Sequence, residues 1–221
     1  MNYVNLIKKV LLAFEQSSTT IQYDKIYIYK DGPDNCRQIT VSFGATEYGN
    51  LKDLIKSYCF KGGRYTSEFT KYVADIGKRP LVDDEGFKGL LKLAATDPIM
   101  QICQDQAYND MYIDPAMKWC DKSKLMLPLS RLVVADSFLQ SGSILMSLRN
   151  KFAEKLPSLG GDEKKWIESY CIVRKDWLAT HTRKILNNTV YRMDFMQECI
   201  EAGDWNLSRD RYVANDVTIQ S

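Results

Sequence analysis

The chain holds a single histidine, His181, in 221 residues. That scarcity argues against a histidine-built zinc site and leaves no serine or cysteine triad that does not pass through His181. Six cysteines (Cys36, Cys59, Cys103, Cys120, Cys171 and Cys199) are scattered without a C-x-x-C pair, so no thiolate metal site is written either. Isolated thiols of this kind read as small buried hydrophobes; their even count leaves disulfides open after export, with no readable pairing. No apolar run reaches the ~18 residues of a membrane helix, so no membrane insertion is expected. Repeats, low-complexity tracts and long linkers are also missing. Charge of one sign is not in excess: 30 Lys and Arg face 28 Asp and Glu. Lys164, Lys165, Arg174 and Lys175 are spaced as a solvated flank, which speaks against nucleic acid. Gly62-Gly-Arg-Tyr is too short a loop to cradle a phosphate.

What is present is 45% apolar content, enough for one good core or for two lobes sharing a cleft. Hydrophobic spacing predicts helices over 2–16, 50–59, 65–76, 84–95, 97–112, 115–122, 128–140, 144–154, 162–180, 184–188 and 191–201. Asp84 and Asp97 stand as N-caps, and Gly160-Gly-Asp-Glu163 reads as a helix start with acidic first-turn residues. Two alternating stretches, Lys25–Tyr29 and Gln38–Phe43, form a hairpin through a polar turn. The expected fold class is α+β, mostly α: one domain over 1–221, two-lobed, with a small hairpin beside an active-site cleft.

Two regions carry chemistry. Glu15 ends the first amphipathic helix, about 20° from Val4 and about 40° from Leu11 at ~100° per residue. On that stripe it is expected to be buried, and burial together with the negative end of the helix dipole would favour its protonated form, as a general acid requires. The alternative is a carboxylate in an ordinary ion pair, or an exposed one on a frayed helix end. In the hairpin, Asp31 and Asp34 sit in a hydrated turn near Arg37, suited to stay ionised and act on water. Ile39, Val41 and Phe43 take one face of the second strand, which leaves Thr40 and Ser42 on the other. Thr40's hydroxyl is placed to hold a water.

These residues carry a family resemblance. Glu15-Gln-Ser-Ser, Tyr27-Ile and Gly32…Asp34…Arg37…Thr40 resemble the opening signature of glycoside hydrolase family 46, the chitosanases, within the lysozyme-like superfamily. Gln104-Asp-Gln-Ala107…Met111-Tyr-Ile-Asp-Pro-Ala116 is similar to a further segment of that family. So are Val133-Val-Ala-Asp136-Ser…Gly142, Gly160-Gly-Asp-Glu163…Arg174 and Arg192-Met-Asp…Gln197…Ala202-Gly-Asp…Leu207, in the same order. The resemblance implies Glu15 as general acid, Thr40 as holder of the attacking water and Asp34 as general base. One extra residue separates Asp34 from Arg37 relative to the family, so Asp31 remains an alternative base. It also implies a charged network of Asp136, Arg174 and Arg192 reaching Glu15. An inverting reaction would set the two carboxyl groups roughly 6.5–9.5 Å apart. No cofactor or metal is implied.

The polymer is weighed from charge. A polycation such as chitosan calls for an acidic cleft, whereas the net charge is +2. Asn50 stands where the family has an aspartate for the substrate amine, and an amide suits an N-acetyl group better. Thr180-His-Thr-Arg-Lys184 replaces a glutamate-containing segment of the family. The expectation is therefore hydrolysis of peptidoglycan glycan strands, with Asn50 and Arg37 contacting substrate. Chitosan hydrolysis is the first alternative, and an inactive glycan-binding domain the second. The amphipathic start, with Lys8 and Lys9, does not read as a signal peptide. A phage lysin or a secretion-delivered effector with an immunity partner, acting as a monomer on the cell wall, fits that expectation.

Overall fold

The structure, a computed structural model, describes residues 3–220, so Asn2 of the expected first helix lies outside the described residues. The chain divides into two compact units, one formed by residues 1–20 and 110–221, the other by 21–109.

The 21–109 unit opens with an antiparallel sheet of β1 (Ile26–Tyr29), β2 (Gln38–Val41) and β3 (Ala45–Thr46), in that order. Tyr27 pairs with Thr40 and Tyr29 with Gln38, while Ile26 pairs with Val41 and Ile28 with Ile39. Because strand residues alternate, Ile39 and Val41 enter the core and Tyr27, Tyr29, Gln38 and Thr40 share the opposite face. Helices α2 (Leu51–Phe60), α3 (Thr66–Val73), α4 (Glu85–Ala94) and α5 (Pro98–Tyr108) complete the unit. Their apolar stripes meet around Tyr58, Phe69 and Phe87, whose rings lie edge to face. Gly63 is needed there: a Cβ on it would stand 2.1 Å from the Tyr58 ring.

Two buried carboxylates hold this unit's loops. Glu47, fully buried, accepts from the backbone N–H of Ile39 at 3.1 Å and of Leu81 at 2.6 Å. Asp97 caps α5, accepting from Ile99 N–H, and also accepts from Tyr58 Oη and Arg64 N–H, both at 2.7 Å. The Tyr58 hydroxyl, with the backbone donors, outweighs desolvation and holds the Asp97 carboxyl below its usual range. A depressed carboxylate stabilises the fold above its unfolded pKa of ~3.9, and that stability is lost as pH falls toward the folded value. Asp97→Ala should therefore lose about 2–3 kcal/mol at pH 7, from a missing cap and an unpaired buried N–H. The gap to the parent should narrow as pH falls below about 4, where Asp97 of the unfolded chain takes up a proton before the folded carboxylate does; urea titrations at pH 7 and below pH 4 check this.

In the other unit, α1 (Tyr3–Gln16) buries Leu6, Ile7, Val10, Leu11 and Phe14. It packs against α7 (Pro128–Ser141), which is buried from Leu129 to Ser137, and against a hairpin of β4 (Arg211–Ala214) and β5 (Val217–Gln220). Around these lie α6 (Asp114–Ser123), α8 (Met146–Arg149), α9 (Glu163–Ala179), α10 (Lys184–Asn187) and α11 (Tyr191–Glu201). The Gly-Gly-Asp-Glu segment is a helix start: Asp162 accepts from Lys165 N–H, and Glu163 accepts from Met126 and Leu127 N–H at the head of α7. All six cysteines are free, and burial pushes the thiols of Cys120, Cys171 and Cys199 up to about 12.

Three expectations are corrected. Residues 144–154 are not one helix; only Met146–Arg149 is helical. Arg149 there donates to the carbonyls of Phe152 and Glu154, holding the following chain in a loop. The 97–112 helix stops at Tyr108 and passes into a π-helical turn, Asn109–Ile113. And there are two sheets among the described residues, since the C-terminal hairpin was not expected. Its turn residues Asn215 and Asp216 are left-handed (φ 49° and 61°), which these short polar side chains tolerate best after glycine.

Candidate active site

Glu15 sits in the last turn of α1, but not on its buried face. The buried stripe centres on Ile7 and Phe14, and Glu15 lies about 80° from Ile7 at ~100° per residue. Its side chain is 38% exposed. The expectation of a buried carboxylate is thus corrected: measuring from Val4 and Leu11 placed it on the stripe's edge.

What holds Glu15 is charge. Arg192 of α11 reaches Glu15 Oε1 through Nη2 at 2.6 Å and Asp136 Oδ1 through Nη1 at 3.1 Å. Arg174 of α9 stands 3.5 Å from the other oxygen of Asp136, and both side chains are fully buried. Arg174 also donates to Gln140 Oε1 at 2.7 Å and Ser141 Oγ at 3.3 Å. The structure thus brings together Glu15, Arg192, Asp136 and Arg174. Burial pulls the Arg192 guanidinium down, but Asp136 and Glu15 more than offset this and carry it above its ordinary value. The guanidinium also lies 5.4 Å from the centroid of the Phe14 ring.

Sequence reasoning missed two residues that fix the end of α1. The terminal carbonyls of a helix lack internal partners. Here the Tyr191 hydroxyl donates to Phe14 O at 2.8 Å, and Asn215 Nδ2 donates to Ala13 O at 3.0 Å and to Ser17 Oγ at 3.1 Å. No local pattern signals either contact; both span nearly the whole chain. Tyr112 is held above its usual pKa by burial and then by the Glu15 charge.

The remaining candidates belong to the 21–109 unit. Asp31 is exposed and accepts from Gln38 Nε2 at 2.9 Å. Gln38 is buried, and its Oε1 accepts from Tyr48 N–H, so one side chain ties the β1–β2 turn to the segment after β3. Its strand position gave no hint of this. Asp34 is exposed in a short 3₁₀ turn, Pro33–Asn35, with φ 53° and ψ 32°. Asp is among the few residues that accept such a backbone. Thr40 is buried opposite Tyr27, and its hydroxyl finds no partner among the described residues. Tyr27 and Tyr29 stack beside it, centroids 5.9 Å apart.

The two residues expected to contact substrate both have partners within the protein. Arg37 pairs with Asp83 at 3.2 Å, both well exposed, which makes it an ordinary surface ion pair. Asn50 is the residue before α2, and its Oδ1 accepts from Thr46 N–H at 3.2 Å; that oxygen serves the turn. Tyr108 is buried against Phe43, and Trp119 packs on Trp166. Among the described residues no three His, Cys, Asp or Glu side chains converge to hold a metal ion.

Residues 9–210 match Glycosyl hydrolase family 46, and the chain belongs to that family of glycoside hydrolases. It is 28% identical to a chitosanase of Bacillus subtilis (strain 168), over 92% of this chain and 78% of that protein. Its fold is similar to that of a mutant chitosanase from Bacillus subtilis MY002 complexed with 6 GlcN, with a TM-score of 0.78, 24% identity and coverage of 99% and 98% of the two chains. A Gynuella sunshinyii GH46 chitosanase in complex with chitotetraose is similar too, with a TM-score of 0.77, 19% identity and coverage of 99% and 96%. The fold is the mostly helical, lysozyme-like α+β fold expected from the sequence. Of the polymers weighed there, the relatives back chitosan better than peptidoglycan.

Proposed function

We propose that the protein is an inverting hydrolase of chitosan, a β-1,4-linked glucosamine polymer. Glu15 protonates the departing glycosidic oxygen, a hairpin aspartate takes a proton from water, and Thr40 holds that water. The observation that carries the reading is the state of Glu15. A buried guanidinium fixes one oxygen at 2.6 Å while more than a third of the side chain stays exposed to a substrate. After proton donation the resulting carboxylate faces Arg192, whose own charge is anchored by Asp136. Thr40's unpartnered hydroxyl supports the second role, because buried polar groups nearly always have a partner. The base is Asp34 by family resemblance, with Asp31 as the alternative.

Chitosan is preferred to peptidoglycan for two reasons. The relatives act as chitosanases by name, and the amide oxygen of Asn50, the main argument for an N-acetyl group, is engaged by its own turn. Incubation with chitosan and with purified sacculi, followed by mass analysis, should release glucosamine oligomers from the first and no muropeptides from the second. Muropeptides without glucosamine oligomers would return the peptidoglycan reading. In the same assay Asp34→Asn should lower the rate by about 10²–10⁴-fold while Asp31→Asn stays within severalfold. The reverse order would move the base to Asp31.

A further inference from the structure

We infer that Tyr191 and Asn215 are positioning residues for the proton donor, acting through the backbone around Glu15; the inference rests on the chitosan-hydrolase reading above. A general acid must be held still, because misplacing a reacting group by ~1 Å can cost about 10²-fold in rate. Glu15 stands where a helix holds its residues least. It is one residue from the end of α1, where the last carbonyls have no partner within the helix and the final turn frays. Its side chain is partly open to solvent, so packing alone does not fix it.

Three contacts from the far end of the chain supply what the helix lacks. The Tyr191 hydroxyl donates at 2.8 Å to Phe14 O, the carbonyl of the peptide group that leads into Glu15. Asn215 Nδ2 donates to Ala13 O at 3.0 Å and to Ser17 Oγ at 3.1 Å, so one amide bridges residues before and after Glu15. Tyr191 is followed directly by Arg192, which holds Glu15 Oε1 at 2.6 Å and is itself anchored by Asp136. Two consecutive residues at the start of α11 therefore grip Glu15 at both ends, one at its peptide group and the other at its carboxyl. With both ends fixed, the torsions between them keep few of their staggered states. The Tyr191 ring packs edge to face on Phe14, centroids 5.7 Å apart, which keeps its hydroxyl aimed at that carbonyl.

The experiment uses Tyr191→Phe, which removes one hydroxyl and keeps the ring, and Asn215→Gly, which removes the amide and accepts the same left-handed backbone (φ 49°). Each is made in the parent and in Glu15→Gln, and kcat and KM on chitosan oligomers are measured at a temperature where a melt shows every variant folded. In the parent, each substitution should lower kcat by about tenfold with KM within about twofold, as when an interaction that serves only the transition state is lost. In Glu15→Gln there is no donor left to position, so each should change the slow residual rate by less than about twofold. A variant with the parent's kcat, or one that loses equally in both backgrounds, would overturn the positioning role of its residue and leave the function standing. A parent inactive on chitosan would instead bring down the function, and this inference with it.

Discussion

A Glu15→Gln protein should hydrolyse chitosan about 10²–10⁴-fold more slowly than the parent and fold as well as it does. Gln has the shape of Glu but no proton of the required acidity to give. The fold survives because Arg192 retains Asp136 at 3.1 Å, so removing the Glu15 charge strands no buried cation. The Glu15–Arg192 bond itself is partly open to water, which limits its share of stability. Initial rates on chitosan and a thermal melt of the same preparation check both halves of the statement. A well-folded Glu15→Gln protein with substantial activity would remove Glu15 from the chemistry.

The second large effect is on stability. Asp136→Ala should cost about 3–5 kcal/mol, because it leaves the buried Arg174 and Arg192 without their common counter-ion. For a chain of this size that lowers the melting temperature by about 10 °C. Glu15 should lose its fixed position as well, so whatever folds should be poorly active. Pairing Asp136→Ala with Arg174→Met removes one of the stranded charges. The double variant should then be less destabilised than the sum of the singles, by about 1–3 kcal/mol in a double-mutant cycle. Strict additivity would mean that the network does not act as a unit.

The contrast between these two variants reflects what the sequence made legible. Asp136, Arg174 and Arg192 were reachable only through the family resemblance, since they lie on three helices far apart in the chain. The hairpin strands, the helix starting at Asp162 and the cap at Asp97 were readable locally, because alternation and capping are short-range rules. Glu15's surroundings were misjudged for a physical reason. Val4 and Leu11 define one edge of the α1 stripe, and a residue near that edge can face either core or solvent. Side-chain commitments were equally invisible: Asn50 spends its oxygen on Thr46, Arg37 finds Asp83, and Gln38 reaches Asp31. The C-terminal hairpin escaped because its strands have four residues each and its turn uses Asn-Asp where Asn-Gly is the usual signal.

The most direct test of Glu15 as proton donor in a single-displacement reaction is ¹H NMR of the first reducing ends released from chitosan. Inversion at a β-linked sugar predicts that the α-anomer signal appears first, with the β-anomer growing in later by mutarotation, and that Glu15→Gln shows neither on that timescale. A β-anomer signal that leads from the earliest spectra would contradict the mechanism.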